Sequence, residues 1–145
     1  MKIEIRRAEL SDLDAIWRLN RDELGYDYSL EETREKLSLL LGRESDRIFV
    51  AVLDGVVAGY VHVCDYDVIY APHMKNIMGI AVASTHRRGG IGRALLAAAE
   101  AWGKETGAAG IRLVSGMTRT GAHAFYRACG YTGDKQQLNL KKMWK

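Results

Sequence analysis

Residues 80–96 read IAVASTHRRGGIGRALL, and this stretch decides the fold. Ile80-Ala81-Val82 is an apolar run of strand character, and Ala83 to His86 make a short link. From Gly90 the apolar residues Ile91, Leu95, Ala98 and Trp102 recur at helical spacing, and Gly107 stops the pattern after Thr106. A buried strand therefore hands the chain to a glycine-rich helix start. The first amides of a helix have no intrahelical partner and lie at the positive end of its dipole, so they favour an anion. Glycine removes the Cβ that would keep that anion away from the backbone. Arg87, Arg88 and Arg93 add charged donors, each worth roughly 1.5–3 kcal/mol where a contact is made. Two nucleotide motifs do not fit. The GxxxxGK[ST] loop is absent, and a GxGxxG fingerprint would need glycine where Leu95 stands. No βαβ unit follows, and no acidic residue is spaced to hold a ribose.

Working outward, Ile3 and Ile5 alternate with charged residues and predict a strand with one buried face. Ser11-Asp12-Leu13-Asp14 reads as a capping box before a helix with Leu13, Ile16, Trp17, Asn20 and Leu24 on one side. Gly25-Tyr26-Asp27-Tyr28 breaks it. Ser29 with Glu32 caps a second helix whose stripe is Leu30, Leu37, Leu40 and Leu41, ended by Gly42. The apolar run Ile48 to Leu53, the Asp54-Gly55 turn and Val56 to Val63 predict a hairpin, with strand character persisting to Tyr70. Asn76 to Val82 is the next strand and Gly90 to Thr106 the helix already described. Ile111 to Val114 is a short strand, Thr120 to Cys129 a helix stopped by Gly130, and Tyr131 to Trp144 a last hairpin with Leu138, Leu140 and Met143 inward. The expected order, β-α-α-β-β-β-α-β-α-β-β, describes a mixed sheet flanked by helices, an α/β (α+β) fold.

With 145 residues, 48% of them apolar, and a single proline, the chain suits one domain over 1–145 without a linker. A net charge of +3 is too mild for nucleic acid, which calls for a concentrated basic stripe. Cys64 and Cys129 have no metal-ligand spacing and are expected as buried free thiols. The N-terminal segment MKIEIRRAEL lacks the apolar core of a signal peptide, and no apolar run is long enough to span a membrane. A cytoplasmic location is the expectation.

Arg87-x-x-Gly90-x-Gly92 resembles the Q/R-x-x-G-x-G/A pyrophosphate loop of the GNAT acyltransferase superfamily. Gly79-Ile80-Ala81-Val82 is similar to that family's cofactor-binding strand. Ala122-x-x-Phe125-Tyr126-x-x-x-Gly130-Tyr131 resembles its fourth-helix signature. The two motifs lie in register over nearly the whole chain. One position departs: Arg119 stands where the family often has asparagine.

The resemblance implies a mostly antiparallel twisted sheet of six to seven strands with four helices. It implies acetyl-CoA as acyl donor, no metal, and direct attack of a primary amine, small-molecule or protein, on the thioester. Backbone groups of Ile80, Ala81 and Val82 would pair with the pantetheine arm, and Arg87, Arg88, Gly89, Gly90, Ile91, Gly92 and Arg93 would hold the pyrophosphate. Arg119 could reach a phosphate. Tyr126, near the CoA sulfur, would be the general acid, since a phenol of pKa about 10 can return a proton to a thiolate whose acid is near 8.5. The Asn76 to Val82 strand lacks the glutamate that many family members use as base. Asp65 and Asp67, two residues apart on one strand face, are the candidates for base or amine binding, with His62 and His73 as alternatives. Tyr26, Asp27 and Tyr28 would wall the acceptor pocket. A homodimer through sheet edges or the C-terminal hairpin is compatible with this reading. A CoA-binding sensor without turnover is the alternative function.

Overall fold

The computed structural model describes residues 2–87 and 89–145. They divide into two compact units, 1–113 and 114–145. The first unit contains β1 (Ile3–Arg7), α1 (Leu13–Leu24), α2 (Leu30–Leu41), β2 (Asp46–Leu53), β3 (Val56–Tyr66), β4 (Met74–Val82), α3 (Ile91–Glu105) and β5 (Ile111–Leu113). Its strands lie in the order β1-β2-β3-β4-β5. The first three pairings are antiparallel and β4 with β5 is parallel. The second unit holds α4 (Thr120–Ala128).

The sheet has two distinct faces. Tyr60 is buried in one cluster with Leu13, Ile16 and Leu19 of α1 and Leu37 of α2. Because side chains alternate along a strand, His62 and Cys64 share this α1/α2 face. Gly59 looks the other way: a Cβ there would stand 3.1 Å from Ile91 Cγ2 and 3.2 Å from Leu95 Cδ1. Val61 and Val63 follow Gly59 onto the α3 face, both without solvent exposure. Leu95 and Leu96 of α3 are equally buried, and each contributes roughly 1.5–3 kcal/mol by leaving water.

Several local readings hold. The Ser29 hydroxyl accepts from the Glu32 amide at 3.0 Å and donates to its carboxylate at 2.9 Å, capping α2 as expected. Asp54-Gly55 makes the hairpin turn between β2 and β3. Other readings are corrected. The capping box is made by Glu9 and Asp12 on the short turn Leu10–Asp12 that precedes α1, where Asp12 accepts from the Glu9 amide at 2.8 Å, and not by Ser11 with Asp14. Arg6 draws Asp12 inward with two hydrogen bonds of 2.8 and 2.9 Å, and the turn begins early, at Leu10–Asp12. β3 ends at Tyr66 rather than running to Tyr70, because Asp67 turns to His73 at 2.7 Å. The two cysteines are free but half-buried.

The largest correction is the last hairpin. No strand forms between Tyr131 and Lys145, and Leu138, Leu140 and Met143 are exposed. Alternation reports which face a strand would bury, but not whether a partner edge exists. An isolated two-stranded hairpin is marginal in water. Among the described residues the sheet therefore has five strands, fewer than the six to seven expected, while the four helices and the mixed, mostly antiparallel pattern stand.

Candidate functional site

The site is organised by an irregularity in β4. His62 pairs with Gly79, yet the next residue of β3, Val63, pairs with Ile77. Met78 is the extra residue, a β-bulge of the kind that re-aims strands beside active sites. The bulge reverses the facing of β4. Ile77 lies opposite Val63 of the α3 face, whereas Ala81 belongs to the α1/α2 cluster.

β5 accompanies β4 only from Lys75 to Ile77. Beyond the bulge, the outer edge of Met78–Val82 has no strand partner among the described residues. Such an edge offers unpaired backbone groups to an extended ligand. Ile80, Ala81 and Val82 all lie on this stretch.

The edge leads into the glycine segment. A short helical turn, Ser84–His86, is followed by Arg87 and by Gly90, the N-cap of α3. Gly90 has φ +85°, a left-handed conformation that side chains resist. Ile91 is buried under the sheet while Gly89, Gly90 and Arg93 are exposed, so the open helix end faces solvent. Arg88 lies outside the described residues. Glu23, in the last turn of α1, clamps the segment. Its carboxylate accepts from the Ser84 amide at 2.9 Å and from the Arg87 guanidinium at 2.9 Å. Sequence reading missed Glu23 because its partners are 61 and 64 residues away.

On the α1/α2 face, the Tyr60 hydroxyl donates to Asn20 Oδ1 in a short contact. Burial pushes its pKa up to about 12, with a smaller push from Tyr26. The same hydroxyl stands 3.5 Å from where a Cβ on Gly79 would be. One residue pair further, His62 Nε2 is 2.7 Å from Asp46 Oδ2, and Ser45 donates to Asp46 Oδ1 at 2.7 Å. Burial works to raise the Asp46 pKa, but hydrogen bonds from His62 and Ser45 outweigh it and hold the carboxyl below its ordinary value. Tyr26, Asp27 and Tyr28 form the loop between α1 and α2, exposed, with Trp17 Nε1 donating to the Tyr28 carbonyl at 2.8 Å.

Asp65 and Asp67 meet around His73. His73 Nδ1 is 2.7 Å from Asp67 Oδ1, and Nε2 is 3.8 Å from Asp65 Oδ1. Asp65 is engaged by Lys75, directly opposite on β4. Lys75 is fully buried, and its ammonium also stacks 3.7 Å over the Trp102 ring of α3. This group therefore belongs to the α3 face, while Asp67 is exposed past the strand end.

In the second unit, Tyr126 is buried on α4, with ring contacts to Phe125 at 5.4 Å and Tyr131 at 6.0 Å between centroids. Burial raises its pKa and Arg119 works against the rise, so the phenol is protonated at neutral pH. Arg119 is exposed at the N-cap of the helix.

The profile of the Acetyltransferase (GNAT) family matches residues 13–131. An aminoglycoside N(6')-acetyltransferase type 1 from Stenotrophomonas maltophilia is 30% identical over 132 residues, covering 88% of this chain and 84% of that protein. Among solved structures, AAC(6')-Iy in complex with the bisubstrate analogue CoA-S-monomethyl-acetylneamine superposes with a TM-score of 0.87 at 20% identity, over 99% of both chains. A transcriptional regulator from Bacillus halodurans superposes with a TM-score of 0.85 at 23% identity, over 97% of this chain and 100% of that one. At these identities the two structures show a shared fold.

Proposed function

The chain belongs to the GNAT acetyltransferase family, and on that premise we propose that it moves the acetyl group of acetyl-CoA to a primary amine, with an aminoglycoside as the favoured acceptor class. The observation that carries this reading is the outer edge of β4 without a strand partner among the described residues, followed past the Ser84–His86 turn by the Gly90-capped start of α3. An extended amide-bearing arm can pair with such an edge, and a pyrophosphate with such a helix start. The acceptor class rests on the Stenotrophomonas relative, whose name states that activity.

The proposed reaction has the amine attack the thioester carbonyl. An amide near the Met78 bulge faces the developing oxyanion. Tyr126, in its motif position, protonates the departing thiolate. Arg87, Arg88, Gly89, Gly90, Ile91, Gly92 and Arg93 hold the pyrophosphate, with Arg119 as a further phosphate contact. Tyr26, Asp27 and Tyr28 line the acceptor side, and exposed Asp67 attracts a cationic amine while Asp65 is occupied by Lys75. The proposed location of the reaction is the cytoplasm. The exposed Leu138, Leu140 and Trp144 suit burial in a homodimer, and sedimentation velocity showing only monomer would remove that part.

The test is free-thiol release from acetyl-CoA with sisomicin, spermidine, lysine and a peptide N-terminus as acceptors. Turnover with sisomicin above the others is expected. Tight CoA binding without thiol release from any amine would favour the sensor alternative.

A further inference from the structure

The β4 strand carries no carboxylate at the bulge, so the proton acceptor for the incoming amine must come from elsewhere. We infer that His62 is this general base and that Asp46 is its positioning residue. The inference deepens the acetyl-transfer reading and rests on it.

Three observations carry it. The first is place. His62 is paired across the sheet with Gly79, immediately beside the Met78 bulge, and both face the α1/α2 side. Gly79 has no side chain to separate the imidazole from the bulge. The second is protonation. Asp46 is buried, and its carboxylate meets His62 Nε2 at 2.7 Å while Ser45 fixes its other oxygen. A carboxylate can only accept, so Nε2 of the neutral ring carries the proton and Nδ1 carries the lone pair. Among the described residues Nδ1 has no hydrogen-bond partner. The third is access: the His62 side chain is 17% exposed, enough for a small group to reach one ring edge.

The titratable groups around His62 are few. Asp46 reaches it from β2, with Arg43 acting on Asp46. Tyr60 and Cys64 flank it on the same face of β3, and Tyr26 acts on Tyr60 from the α1–α2 loop. Burial, followed by the Asp46 charge, raises the Cys64 pKa, so this thiol stays neutral. Among the described residues Asp46 is the carboxylate paired with the ring, and it stabilises the imidazolium as it forms.

The proton balance is simple. An ammonium R-NH3+ gives one proton to His62 Nδ1 and becomes R-NH2. Its lone pair forms the N–C bond to the thioester carbonyl carbon. The C–S bond then breaks with its electron pair on sulfur, and the thiolate takes the proton of the general acid. The amide nitrogen's surplus proton restores that acid, and the imidazolium releases its own proton to water. The products are the acetamide, CoA thiol and one proton.

The experiment compares wild type with His62→Gln and Asp46→Asn, using acetyl-CoA with whichever amine of the panel the wild type accepts. Loss of a positioned general base costs about 10²-fold or more. His62→Gln is expected to lower kcat by about 100-fold at pH 7, with the acetyl-CoA Kd unchanged within about twofold. Its deficit should shrink as pH rises, because the amine then arrives neutral. The dependence of kcat/KM on pH should differ from that of the wild type. Asp46→Asn should lose about 10-fold with a shifted pH profile, and thermal unfolding checks that both variants fold. A folded His62→Gln with wild-type kcat and an unchanged pH profile would overturn the assignment. So would a loss of activity that is the same at every pH. Absence of wild-type turnover with every amine would instead remove the acetyl-transfer reading, and this inference with it.

Discussion

Tyr126 illustrates how one residue's environment fits it for a role. Its ring is held by Phe125 and Tyr131, and burial keeps the phenol protonated. Tyr126→Phe keeps the ring packing and removes only the proton donor. It should lower kcat about 10- to 100-fold and leave the acetyl-CoA Kd within about twofold, measured by steady-state kinetics and calorimetry. Unchanged kcat would retire the acid role. Asp65 makes the opposite case. Its carboxylate offsets the buried ammonium of Lys75. Asp65→Ala leaves that charge without a carboxylate partner, with only the Trp102 ring and His73 beside it, and should cost on the order of 3 kcal/mol in urea unfolding. A variant of wild-type stability would show that Asp65 is free for other work. The resemblance to the family's motifs could name Tyr126 and Arg87, and strand spacing the Asp65/Asp67 pair, as candidates. They could not show that Lys75 already holds Asp65, because that depends on the register of β3 against β4.

At the scale of elements, the approach of α3 to the sheet aims the proposed anion site. Gly59 permits it: a Cβ there would be 2.9 Å from the Ala81 carbonyl oxygen and would press on Ile91 and Leu95. Gly59→Ala must push α3 or β4 aside, and overpacking of this sort costs about 1–3 kcal/mol. Since Ile91 is the first residue of α3, acetyl-CoA affinity should fall together with the melting temperature. A stable variant with intact affinity would show that the contact relaxes without moving the helix. The glycine segment was legible as an anion loop from its spacing. Its clamp was not, since Glu23 looks like any polar residue in a last helical turn. The bulge at Met78 left no signal in composition either, because Ile77 and Ala81 preserve an apparent period of two while facing opposite sides.

For the molecule as a whole, acid should be the vulnerable direction. The Arg6 hydrogen bonds hold the Asp12 carboxyl below its ordinary value, and the Asp46 carboxyl is also held low. A carboxyl with a depressed folded pKa contributes stability that is complete above the unfolded pKa, near 4. That contribution declines as pH falls from there through the folded value. Chemical unfolding should therefore show stability dropping below about pH 4, and Asp12→Asn should flatten part of the drop. An identical acid profile in that variant would exclude Asp12 as a contributor. The sequence by itself determined the element order as far as α4, the α2 cap, the hairpin turn and the two motifs that mark the family. All of these depend on residues within a few positions of one another. Only the tertiary structure decided that the last hairpin is absent, that β4 changes face at Met78, and that Asp46 lies against His62. Those features depend on which strand edge meets which, and on residues 16 or more positions apart. Local periodicity carries no information at that range, because it records the face a residue turns and not the group it meets there.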